Sequence, residues 1–148
     1  MKGGPVKRST RRSKRGDHDL VTSMSTRPWM GVTITSDAAF QVSVNFGATA
    51  CIIRDHQGSF KVAQANWYDR CLDACTMEAL ACRNGLMLAR EHGKQWVILE
   101  TDCLELVNLW KKRDSQRSII DPILKEIEDL WLAFRDFLLF MCIEIVII

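Results

Sequence analysis

Between Val32 and Phe40 apolar and polar residues alternate and β-branched side chains are frequent, the period of a strand with one buried face. A second β-prone run extends from Val42 to Arg54. The turn residues Asp55-His56-Gln57-Gly58 then precede a third run, Ser59 to Trp67, and the three strands predict an antiparallel meander. The period changes after Asp73. Helix formers continue to His92, and Gly93 stands where a C-terminal cap belongs, so 73–92 is predicted as the longest helix. Trp96 to Thr101 is a short apolar run of the kind that fills a buried strand, and Leu104 to Lys112 returns to helical spacing. A further helix is predicted from Ile119 to Phe134, with Asp121-Pro122 near its start, where proline is tolerated, and a last strand from Phe137 onward. The order strand, strand, strand, helix, strand, helix, helix, strand predicts an α/β fold, a mixed sheet with helices packed against it. No internal repeat interrupts this order.

Size fits one such unit. With 148 residues, 47% of them apolar, the chain can bury one ordinary core and is short for two. The formal net charge of +2 is uninformative until its distribution is considered. Lys7, Arg8, Arg11, Arg12, Lys14 and Arg15 crowd into a segment with no acids and no large apolar residues, which cannot support a core. Residues 1–28 are therefore expected to form a disordered basic arm ahead of a domain over 29–148. Clustered positive charge of this kind serves phosphate neutralisation or nuclear import, and it also occurs in plain solvated tails.

No apolar stretch stands behind the N-terminal charges as it would in a secretory signal, so an intracellular protein is expected, nuclear if the arm is read as an import signal and otherwise cytoplasmic. The six cysteines, Cys51, Cys71, Cys75, Cys82, Cys103 and Cys142, form no CxxC pair and sit mostly in apolar stretches, which points to reduced core thiols. His56 and His92 stand at no familiar zinc spacing from them. The apolar end Phe137 to Ile148 is shorter than the roughly 20 residues that span a bilayer and carries Glu144, so a buried strand is expected and no membrane partner.

Candidate chemistry begins on the long helix. At about 100° per residue, Ala74, Met77, Glu78, Ala81, Gly85 and Leu88 share one arc of roughly 100°, with Arg83 and Arg90 opposite. Glu78 thus turns toward the core among small residues that let the helix approach a sheet closely. An ionised carboxylate there needs a partner or a metal, unless it escapes at the helix rim. Two strand carboxylates accompany it. Asp102 follows the strand Trp96 to Thr101, where it could equally cap the next helix, and Asp37 interrupts the alternation of the first strand, where it could simply face solvent. Together the three are the oxygen donors that one or two hard cations require.

Four segments in this order, Asp37-Ala38-Ala39-Phe40, Cys51-Ile52-Ile53-Arg54-Asp55-His56-Gln57-Gly58, Met77-Glu78-Ala79-Leu80-Ala81 and Leu99-Glu100-Thr101-Asp102, resemble the plant-type ribonuclease H-like domain of retroelement-derived, reverse-transcriptase-associated proteins. The resemblance covers about Trp29 to Phe140. It implies a mixed five-stranded sheet with flanking helices, and a metal-dependent endonuclease that cuts the RNA strand of RNA–DNA hybrids. It also implies that Asp37, Glu78 and Asp102 are catalytic and hold Mg²⁺ (or Mn²⁺). Ala38 stands where many relatives carry Gly. Relatives continue past the last strand to a loop His and a fourth catalytic Asp, neither of which has a counterpart here: Glu144 is the only acid in that stretch, and nothing in its setting makes it an equivalent of the Asp. A C-terminally truncated domain is therefore expected, from a shortened or shifted gene product. The alternative to an active hydrolase is a catalytically impaired nucleic-acid-binding module or a retroelement-derived relic.

Overall fold

The structure, a computed structural model, describes residues 31–141, with the backbone alone for 136–141. The basic arm residues Lys7, Arg8, Arg11, Arg12, Lys14 and Arg15, and also Cys142 and Glu144, lie outside the described residues.

Strand β1 (Val32–Gln41) passes through a single 3-10 turn (Val42–Val44) into β2 (Phe46–Arg54), followed by β3 (Phe60–Tyr68). Helix α1 (Ala74–Glu91), strand β4 (Trp96–Thr101), helices α2 (Leu104–Lys111) and α3 (Asp121–Trp131) and strand β5 (Asp136–Met141) complete the order. That order is the one expected from the periodicity. The strands lie side by side as β3-β2-β1-β4-β5. The first three form the antiparallel meander, β4 runs parallel to β1 from Val32↔Val97 to Thr35↔Glu100, and β5 runs parallel to β4.

The expected second strand begins four residues late, because Asn45 takes a left-handed conformation (φ 50) and the chain reverses there. Asn tolerates that conformation better than the β-branched residues around it. At the start of α1 the Asp73 carboxylate accepts from the Thr76 amide at 2.7 Å, and Gly93, at φ 67, ends the helix as its position suggested.

One face of the sheet carries the core. Val32, Ile34 and Ser36 of β1, Cys51 and Ile53 of β2, and Val97, Leu99 and Thr101 of β4 are buried beneath α1, as period-2 alternation requires. The helix-wheel arc was too narrow. Cys75, Ala79, Cys82, Leu86 and Ala89 are buried as well, and Ala74 is exposed, because α1 packs against the sheet on one side and α3 on the other. Arg83, opposite that arc, reaches Glu126 of α3 at 3.1 Å. Among the described residues no helix is long and apolar enough to cross a membrane.

Candidate metal centre

Parallel pairing between β1 and β4 stops at Thr35↔Glu100. Beyond that point the backbone pairing of the two strands ends, and each carries a carboxylate just past the last pair: Asp37 within β1, Asp102 immediately after β4. Glu78 comes from the second turn of α1, which crosses this face. One carboxylate oxygen from each of the three lies within 4.8 Å of the other two, and this is the only such group of three metal-ligating residues among the described residues. Asp37 and Asp102 are exposed, Glu78 half-buried.

Close helix–sheet approach makes the meeting possible. A Cβ on Gly85 would stand 2.6 Å from Cγ2 of Ile34, so only glycine lets α1 lie this near β1. The residues flanking the strand carboxylates are fixed by buried hydroxyls. Ser36, beside Asp37, donates to the Glu100 carbonyl at 3.1 Å and lies 3.2 Å from the Cys82 sulfur, tying β1 to both β4 and α1. Thr101, beside Asp102, accepts from the Cys103 amide at 3.2 Å. The Ala38 amide donates to Asp37 Oδ1 at 2.8 Å, so the alanine that replaces the expected glycine still presents its backbone to the site. Ser36 and Thr101 were missed in the sequence. Their signal was the alternation itself, which turns both inward among apolar neighbours.

Electrostatics make the cluster unfavourable without a cation. Burial foremost, and then the negative charges of Asp102 and Asp37, push the Glu78 carboxyl up to about 7, against the Ala38 amide that favours its ionised form. Glu78 Oε2 is buried and has no hydrogen-bond partner. A divalent cation would remove both defects, by offsetting the repulsion and by taking up the orphaned oxygen. Around a hard cation with ligands at about 2.1 Å, facing oxygens stand roughly 4 Å apart, so a 4.8 Å span closes onto such an ion with small side-chain movements. The donor set, three carboxylates and no sulfur, suits a hard divalent cation. A cleft of about 320 Å³ between the ends of α2 and α3, lined by Arg113, Arg117, Lys125 and Glu128 among others, contains none of the three carboxylates.

Comparison with known proteins agrees with this architecture. The RNase H1 of the archaeon Halobacterium salinarum superposes with a TM-score of 0.64 at 17% identity, over 76% of this chain and 86% of that one. The N-terminal RNase H domain of a Mycobacterium tuberculosis protein gives 0.70 at 13% identity, over 78% and 84%. The LC11 RNase H1, solved in complex with an RNA/DNA hybrid, gives 0.67 at 10% identity, over 76% and 86%. At these identities the likeness concerns the fold. No curated protein matches the sequence. The model of the reverse transcriptase-like family matches residues 35–140, well over half of the chain and all three carboxylates, and the chain therefore belongs to that family, folded as an RNase H-like domain.

Proposed function

We propose that this domain binds nucleic acid and hydrolyses the RNA strand of RNA–DNA hybrids at a centre held by Asp37, Glu78 and Asp102. The observation that carries the reading is the convergence of three carboxylates within 4.8 Å, one of them with a buried, unpartnered oxygen. Asp37, Glu78 and Asp102 would hold Mg²⁺ or Mn²⁺, which when bound supplies a more acidic water and stabilises charge on the cut phosphodiester. The chain's own contribution is positioning. The Ala38 amide fixes the Asp37 carboxylate, the Ser36 and Thr101 hydroxyls fix the strand ends on either side, and α1 holds Glu78 where its raised carboxyl would ionise more readily beside a cation. The exposure of Asp37 and Asp102 leaves the centre open to a polymer backbone. Hybrid selection would rest on groove shape and 2′-hydroxyl contacts.

The basic arm Lys7, Arg8, Arg11, Arg12, Lys14 and Arg15 would add salt-sensitive phosphate contacts ahead of the domain, or a nuclear address in an intracellular protein. The resemblance to the LC11 enzyme, whose structure holds an RNA/DNA hybrid, supports a nucleic-acid partner. A second reading, a nucleic-acid-binding module with weakened catalysis, is favoured by the donor count: the cluster holds three carboxylates among the described residues. One experiment separates the readings. Purified protein is incubated with a labelled RNA–DNA hybrid and Mg²⁺ beside an Asp102→Asn control. Cleavage by the parent alone supports hydrolysis, while salt-sensitive binding with no cleavage above the control supports the second reading.

A further inference from the structure

Strand β3 ends the sheet on one side: β2 pairs with it, and among the described residues no strand pairs with its other edge. Such an edge leaves the N–H and C=O of every second residue unpaired, and proteins ordinarily blunt it with charge, proline or a bulge. Here those devices stop at one end. The register with β2 skips Lys61, the one charged residue of the strand, and from Val62 to Tyr68 the strand holds no charge, proline or glycine. None of its residues is buried, and Trp67 is 71% exposed.

The order of residues along that edge fits a second copy of itself. Pairing the regular run 62–68 with its own antiparallel copy puts a two-fold axis at Ala65. Val62 then faces the partner's Tyr68, Ala63 the partner's Trp67 and Gln64 the partner's Asn66: apolar against aromatic, small against large, amide against amide. At the axis two alanines meet without a clash. Just beyond the run, exposed Lys61, which holds Asp55 of its own chain at 3.2 Å, faces the partner's exposed Asp69, and the two-fold repeats this contact. A parallel copy in register would instead set Lys61 against Lys61 and Asp69 against Asp69. Charge therefore selects the antiparallel copy.

We propose that the protein forms a two-fold dimer in which β3 pairs with the partner's β3 about Ala65 and joins the two sheets into one. Main-chain bonds supply the affinity and the side-chain pairs the register. A ladder of this length, about 23 Å, buries less than the roughly 1,200 Å² of a standard interface, so the dimer is a weak one, with a dissociation constant on the order of 10 µM. The same register aligns the candidate metal centres. Asp37 lies opposite Ala50, and Ala50 opposite Ala65, so one row of the sheet leads from Asp37 to the axis and on to the partner's Asp37. Five strand spacings put these two carboxylates about 24 Å apart. The meaning of that distance rests on the function proposed above, whereas the dimer does not.

The test is sedimentation of the full chain, freed of nucleic acid and in EDTA. Between about 1 and 100 µM the parent should pass from monomer to dimer. Ala65→Lys sets two like charges face to face at the axis, on an exposed position, and should leave only monomer while unfolding in urea as the parent does. Lys61→Glu and Asp69→Lys should each weaken the dimer about fivefold, and the two together should restore it, because the opposed charges are then exchanged. A full chain that stays monomeric at about 100 µM overturns the proposal, the outcome expected if another segment of this chain covers β3. A dimer that survives Ala65→Lys also overturns it, since the copies then meet elsewhere. If Ala65→Lys unfolds in less urea than the parent, the charge exchange decides: restoration supports the antiparallel pair, and a double variant no better than the singles overturns it.

Discussion

Gly85 of α1 lies so close to Ile34 of β1 that a Cβ at position 85 would stand 2.6 Å from the Ile34 Cγ2. The clash is with a branched, fully buried side chain that has nowhere to swing. Gly85→Ala should therefore lift α1 from the sheet. Overpacking costs about 1–3 kcal/mol and the better helix propensity of alanine returns up to about 1, which leaves a net loss of roughly 1–2 kcal/mol. Urea denaturation measures this loss. Because Glu78 lies two turns back on the same helix, Mn²⁺ affinity should fall alongside stability, and an unchanged affinity would detach the helix approach from the site.

How much of this was open to a reader of the sequence differs between elements. β4 was legible to the residue, since Val97, Leu99 and Thr101 are buried and the flanking residues break the run sharply at both ends. β2 was not: Val42 and Val44 look like strand, but Asn45 at φ 50 turns the chain, and the tolerance of Asn for that conformation was the unused local signal. At the site, periodicity argued independently for Glu78 alone, and the resemblance supplied Asp37 and Asp102. The bonds that hold these residues, such as Ser36 to the Glu100 carbonyl 64 positions away, depend on sheet register and so could not be read locally.

A pH dependence follows from the buried carboxylate. In the metal-free protein Glu78 titrates near 7, whereas its ordinary value is 4.5, so between those values the folded state holds a proton that the unfolded chain has lost. Stability must then decline as pH rises through that window and level off above it. Glu78 is half-buried, and after allowance for solvent screening the decline should be on the order of 2 kcal/mol. In EDTA, unfolding at pH 5 and pH 8 should show this difference for the parent, and Glu78→Gln should abolish it. Added Mn²⁺ should restore stability most at the higher pH, because binding displaces the proton.

Asn84 is a hub of a different kind, tying α1 to β2 and β3. Its amide donates to Thr49 Oγ1 at 3.1 Å and to the Tyr68 hydroxyl at 2.8 Å, while Arg83 donates to its oxygen at 3.2 Å and reaches on to Glu126. Removing the hub leaves a buried threonine hydroxyl without this donor, whereas removing Tyr68's hydroxyl costs one bond. Asn84→Ala should lose about 2–3 kcal/mol and Tyr68→Phe about 1. Equal losses in thermal or urea unfolding would show that the network is not shared.

Asp102→Asn separates stability from cation binding, because the same charge has opposite effects on the two. The negative charge of Asp102 is, after burial, the next cause of the raised Glu78 pKa. Neutralising it lowers the work of ionising Glu78, so the metal-free variant should be more stable than the parent at pH 8, by up to about 1 kcal/mol, and little changed at pH 4. The cation loses one of three anionic donors. Mn²⁺ affinity should fall by tenfold or more, on the order of 1.4 kcal/mol for each tenfold step, and the midpoint of unfolding should become insensitive to Mn²⁺ at concentrations that protect the parent. Calorimetry and thermal unfolding on one preparation read both effects. If Asp102→Asn were destabilised in EDTA at pH 8, Asp102 would be holding the fold together, and the carboxylates would not be the mutually repelling cluster that awaits a cation.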